Sequence, residues 1–108
     1  MNLEAYTIYD IKAKTYEPPR FALNENTAKR MFIVLFQNVQ SMYNKFPLDY
    51  QVFFIGNYND ETAEFNNLDK PTYKYTASDL IGSDDANQAL LFQKNQVANT
   101  AQEKEERT

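Results

Sequence analysis

The sequence predicts an α+β domain: a small antiparallel sheet of three to five strands with one helix packed on it, then a loosely ordered or helical C-terminal tail. Three observations predict it. Residues 3–13 and 51–58 alternate in the two-residue rhythm of a strand, while 25–38 carries its apolar residues at helical spacing. Fifteen of the 16 aromatic residues fall between Tyr6 and Tyr75, with only Phe92 beyond, which concentrates there the apolar area a core needs. After residue 80 the chain turns to Asn, Gln, Ala and charge. The reading is one domain over residues 1–80 and a polar tail over 81–108.

The first strand spans residues 3–13, where Tyr6, Thr7, Ile8, Tyr9 and Ile11 are β-branched or aromatic. One of its faces carries Ala5, Thr7, Tyr9, Ile11 and Ala13; the other carries Tyr6, Ile8, Asp10 and Lys12. The first is expected to face the core. Pro18 and Pro19 break regular pairing and force an extended connection. Arg20 to Leu23 then read as a short second strand.

Asn24 is a good helix N-cap, with Glu25 near the positive end of the dipole and Asn26 as a second candidate cap. The helix, over about 25–38, buries Ala28, Met31, Phe32, Leu35 and Phe36, with Val39 continuing the spacing. Ile33 and Val34 widen this stripe. Either the protein's own loop covers them, or they form an apolar patch for a partner. Residues 40–49 read as a polar loop interrupted by Met42, Tyr43 and Phe46.

The strand at 51–58 is apolar on both faces in its middle, which suggests a central place in the sheet. Asn59 to Thr62 is turn chemistry, and residues 63–68 return as the second arm of a hairpin. Asp69-Lys70-Pro71 makes a break. Residues 73–76 form an edge strand with Tyr73 and Tyr75 on one face, and residues 78–82 a short turn or helical end. In the tail, Asp84 or Asp85 caps a marginal helix through Leu90, Leu91, Lys94, Val97 and Ala101, with fraying the simpler reading.

The composition argues against catalysis. The chain has no His, Cys or Trp, which removes Cys- and His-based zinc sites, disulfides, thiol nucleophiles and Ser-His-Asp triads. General acid–base work would fall to Asp, Glu, Lys or Tyr. The densest carboxylate group, Asp60, Glu61 and Glu64, sits on the expected hairpin turn, where carboxylates are exposed. Residues 57–61 look superficially like a calcium loop, but the sixth-position glycine is missing and Leu68 holds the twelfth place. With only Gly56 and Gly82 there is no phosphate-cradling loop. The expectation is a noncatalytic protein with no cofactor, no metal and no small-molecule substrate. The longest apolar run, residues 31–36, is too short to span a membrane, nothing at the N-terminus marks export, and a cytoplasmic location is the default.

Net charge is −4, divided equally between residues 1–80 and 81–108. Neither part is basic, unlike proteins that hold DNA mainly by neutralising phosphates. One local cluster stands out: Lys12, Lys14, Arg20, Lys29 and Arg30, interspersed with Asp10, Glu17 and Glu25. These are ordinary surface charges or a small DNA-facing patch. Two binding readings survive. Tyr6, Tyr16, Tyr43, Tyr73 and Tyr75 stack bases of a single strand near Lys12, Lys14, Lys45 and Lys74, or they pack with their hydroxyls at the rim, as strand tyrosines more often do. Alternatively the chain is a protein-interaction module that docks through Ile33 and Val34 or through the tail.

The ordered segments Tyr6-Thr7-Ile8-Tyr9-Asp10-Ile11-Lys12-Ala13, Phe21-Ala22-Leu23-Asn24, Ala28-Lys29-Arg30-Met31-Phe32, Phe46-Pro47-Leu48-Asp49-Tyr50 and residues 55–65 carry a family resemblance. Together they resemble the small nonstructural protein of the gokushoviruses, phages of the Microviridae with circular single-stranded DNA genomes, over about residues 5–68. Asn59 stands where that family often has Asp, which weakens a fixed acidic pair. Ala63 stands where it often has Gly, which suggests a different turn geometry. The resemblance implies a protein of the host bacterial cytoplasm, absent from the mature virion. It implies action in single-stranded DNA synthesis and genome packaging, by analogy with the microvirus packaging-switch protein. The implied partners are the viral replication-initiation complex and single-stranded DNA, with no membrane. It carries no catalytic residues. Of the basic cluster, Lys12 and Arg30 also lie in the family-like segments.

Overall fold

A computed structural model describes residues 1–82. The expectations for the tail beyond Gly82 lie outside these residues. The fold is α+β: a curled antiparallel sheet with one main helix and two short ones. The strands are β1 (Asn2–Asp10), β2 (Thr15–Tyr16), β3 (Arg20–Ala22), β4 (Tyr50–Asn59) and β5 (Phe65–Thr76). The helices are α1 (Glu25–Gln37), α2 (Met42–Lys45) and α3 (Ala77–Ile81), the last two falling in the expected loop and turn.

The order across the sheet is β2-β1-β4-β5, and β3 shares the β2 edge of β1. β2 pairs with the end of β1, Tyr9 opposite Tyr16, and β3 pairs with its start, Ala5 opposite Phe21. Pro18 and Pro19, which cannot donate to a ladder, split what is in effect one edge strand. The Glu17 amide still reaches the Ile8 carbonyl at 2.8 Å across the split. β4 lies between β1 and β5, as its two apolar faces required.

The core forms where α1 lies on the sheet. Tyr6, Ile8, Tyr50 and Val52 meet Ala28, Phe32, Ile33 and Phe36 of α1 and Ala77 and Leu80 of α3. This corrects the expected facing of β1: Tyr6 and Ile8 point to the core, and Ala5, Thr7 and Tyr9 point away. The strand ends at Asp10, so Ile11, Lys12 and Ala13 belong to a turn and tell nothing about facing. Within the strand proper the two faces carry apolar side chains of like size, Tyr6 and Ile8 against Leu3 and Tyr9, so alternation alone does not choose between them. The Tyr6 ring sits 6.0 Å from Phe32 and 5.4 Å from Phe54 and is almost wholly buried.

Helix α1 starts as its sequence dictates. Asn24 accepts from the Thr27 amide at 2.9 Å while the Thr27 hydroxyl accepts from the Asn24 amide at 3.1 Å, a reciprocal cap. Glu25, in the first turn, is held from the edge strand by Lys74 at 3.4 Å and the Tyr75 hydroxyl at 3.1 Å.

Two tight turns use one device. Asp10 accepts through its side chain from the amides of Lys12 and Ala13, and its carbonyl accepts from Lys14, whose φ is 59°. Asn59 accepts likewise from Glu61 and Thr62, and its carbonyl accepts from Ala63, whose φ is 62°. The side chain at the turn's first position mimics a backbone carbonyl, and the fifth residue takes the left-handed conformation that closes the strands. Ala63 thus adopts the left-handed conformation in which glycine is most at ease.

Candidate nucleic-acid interface

All three described helices pack on one side of the sheet, and the opposite side carries a field of aromatic rings. Register places there Leu3, Ala5, Thr7 and Tyr9 of β1, Tyr16 of β2 and Phe21 of β3. From β4 and β5 come Gln51, Phe53 and Tyr58, then Phe65, Asn67, Tyr73 and Thr76. None of these side chains is charged, although charged residues make up 24% of the chain. A sheet face with nothing packed on it is ordinarily polar. This one is aromatic and neutral.

The rings form two groups. Across one end runs a row from edge to edge: Tyr16 and Tyr9 at 4.6 Å, Tyr9 and Phe53 at 6.3 Å, Phe53 and Tyr73 at 5.8 Å. At the other end Phe21, Tyr58 and Phe65 form a triangle, with Phe21 and Tyr58 5.2 Å apart. Between the groups the floor is made of small residues, Ala5 and Gly56, which pair directly. Phe21 and Tyr58 are the cross-strand neighbours of Ala5 and Leu3, and their rings meet beside Ala5, which is fully buried. Tyr16, Tyr73 and Phe21 remain open to solvent, at 51%, 49% and 41% exposure.

Backbone irregularities build this field. Between the Ala5–Gly56 and Tyr6–Phe54 pairs, Ile55 is an extra residue in β4. Gly56 has φ 149°, and a Cβ there would overlap the Asn66 carbonyl oxygen, so only glycine lets β5 approach. In β5, Lys74 is extra between Tyr73 and Tyr75. The two tyrosines, expected on one face, therefore lie on opposite faces: Tyr75 against the core cluster, Tyr73 beside Phe53. Residues 68–71, with Pro71 among them, drop out of the ladder in the middle of β5.

The structure divides the expected site residues. Lys12 and Lys14 lie exposed on the turn joining the Tyr9–Tyr16 pair, at one corner of the aromatic row. Arg20 is opposite Tyr6, on the helix side, with its guanidinium 3.8 Å from the Glu17 carboxylate. Lys29 and Arg30 are on α1, so the sheet lies between them and the rings. The five cations do not make one track. Ile33 is in the core at 3% exposure, whereas Val34 faces out at 52%, so own-chain cover is found for one of the pair only.

Of the five tyrosines considered for stacking, Tyr16 and Tyr73 are on the open face. Tyr6, Tyr43 and Tyr75 belong to the helix side. The Tyr43 hydroxyl donates to both carboxylate oxygens of Glu17, at 2.7 and 2.8 Å. Burial, then this bond, pushes its ionisation up to about 12. Burial and the 2.8 Å bond to Glu4 raise Tyr6 further, and burial with Glu25 raises Tyr75. Lys74 pairs with Glu25 and lies 6.0 Å over the Phe54 ring, and Lys45 is exposed on α2. Tyr9, Phe21, Phe53, Tyr58 and Phe65 were not singled out by sequence. Their common face follows from register and bulges, which alternation alone does not reveal.

Chemistry is thin elsewhere among the described residues. Asp60 and Glu61 are exposed on the β4–β5 turn, and no three acidic side chains converge as a metal site. No helix among the described residues is long and apolar enough to cross a membrane. A family model described as Phage ORF5 protein matches residues 3–80, from β1 into α3. The chain belongs to the phage ORF5 protein family. The fold described above, aromatic face included, is thus that of a bacteriophage protein. No curated protein and no solved structure matches the chain.

Proposed function

We propose that this member of the phage ORF5 family is a noncatalytic, nonstructural protein of a gokushovirus-type phage that acts in viral single-stranded DNA synthesis and genome packaging. It works by binding the replication-initiation complex, single-stranded DNA, or both, in the host bacterial cytoplasm, and it is absent from the finished particle. The observation that carries the reading is the neutral aromatic face, a large binding surface that the described helices leave uncovered. It is supported by the phage family and by a composition without His or Cys, which leaves general acid–base work to Asp, Glu, Lys or Tyr.

The test is made in infected cells. A phage with a stop codon early in this gene should still accumulate double-stranded replicative DNA, while single-stranded progeny genomes fall at least tenfold. Progeny single strands at the wild-type level would overturn the role. A second reading, an interaction module with no DNA contact, is favoured by the net charge of −4 and by Val39, Met42, Phe46 and Leu48, four exposed apolar residues around α2. It expects the protein to co-purify, after nuclease treatment, with a host or scaffold protein and not with the replication-initiation complex.

A further inference from the structure

We propose that the sheet face left uncovered by the described helices is a single-stranded DNA site that grips bases by stacking and uses only Lys12 and Lys14 for phosphate contact. This rests on the role proposed above and names the ligand and the residues.

Three features of the face point to a nucleic-acid strand and not to a second protein. The aromatic row crosses four strands, β2, β1, β4 and β5, and its two ends, Tyr16 and Tyr73, are about half exposed. A strand of bases needs such a series of π-surfaces, and duplex DNA, whose bases are already stacked, cannot use it. The charge pattern is also complementary. None of the side chains that register places on the face is a carboxylate, and the two lysines sit on the turn that projects from the Tyr9–Tyr16 corner. Finally, the second ring group, Phe21, Tyr58 and Phe65, continues the aromatic surface at the other end of the same face, over the buried Ala5–Gly56 pair. An acidic protein can use such a face because stacking does not depend on net charge.

The salt dependence separates this from a basic track. Each phosphate contact on a single strand contributes about −0.7 to the slope of log affinity against log salt. Two lysines give a slope of about −1.4, whereas the five-cation cluster would give about −3.5.

The experiment measures binding of a fluorescein-labelled oligothymidylate to the full chain by anisotropy over a salt series, with an abasic oligonucleotide of equal length as control. Tyr16→Ala and Tyr73→Ala are exposed changes whose folding is checked by thermal melting. Each is expected to weaken binding about tenfold, Tyr16→Phe to restore it, and the abasic strand to bind far more weakly. Lys12→Gln with Lys14→Gln should flatten the slope towards zero. Binding that ignores the ring variants, accepts the abasic strand and shows a slope near −3.5 would overturn the site while leaving the proposed role intact. Absence of binding at low salt would overturn the site as well; the role would then be judged by the progeny-strand assay alone.

Discussion

Three backbone positions decide the shape of the sheet. Lys14 and Ala63 hold the left-handed conformation at a cost that glycine avoids. Lys14→Gly and Ala63→Gly should each stabilise the domain by about 0.5–1 kcal/mol in chemical denaturation, because the relieved strain exceeds the entropy glycine adds to the unfolded chain. Gly56 is the opposite case. Gly56→Ala must drive a methyl into the Asn66 carbonyl, and a loss of about 2–4 kcal/mol is expected from the strain and the displaced strand. Local chemistry was legible at this scale: the Asn24 cap and the Asn59 turn follow from residue type. The left-handed Ala63 was not, because alanine advertises no positive φ.

At the scale of elements, tyrosine hydroxyls fasten helices to strands. Tyr43 ties α2 to the Glu17 carboxylate beside the double proline, and Tyr75 with Lys74 ties the start of α1 to β5. Tyr6, Tyr43, Tyr50 and Tyr75 all hold their protons more tightly when folded. Above pH 10, the ordinary phenol value, the folded chain therefore binds more protons than the unfolded one, and stability falls as pH rises. For Tyr43 the contribution is complete below pH 10 and lost by about 12. The urea midpoint should be flat to about pH 10 and then drop, less steeply in Tyr43→Phe. Element identity was largely readable in the sequence: β1, α1 and β4 fall within a few residues of their expected bounds. Facing was not. Both faces of β1 are apolar, Tyr6 and Ile8 on one and Leu3 and Tyr9 on the other, and the extra residue Lys74 parted Tyr73 from Tyr75.

The described residues form a two-sided sheet, one side closed by helices and the other a neutral aromatic field. The sequence concentrates its aromatics between residues 6 and 75, but alternation could not assign them to a face. Four strands and two bulges must be in register before Tyr9, Tyr16, Phe53 and Tyr73 form a row. The charge becomes intelligible at this scale as well. A net −4 protein lacks a phosphate track because the sheet parts Lys12 and Lys14 from Arg20, Lys29 and Arg30. What it retains is a surface suited to flat, uncharged ring systems, with two cations at one corner. The most direct test is ultraviolet cross-linking of the full chain to a single-stranded oligonucleotide, with the attachment sites mapped by mass spectrometry. The account predicts adducts on Tyr9, Tyr16, Phe21 and Tyr73; adducts confined to α1, around Lys29 and Arg30, would contradict it.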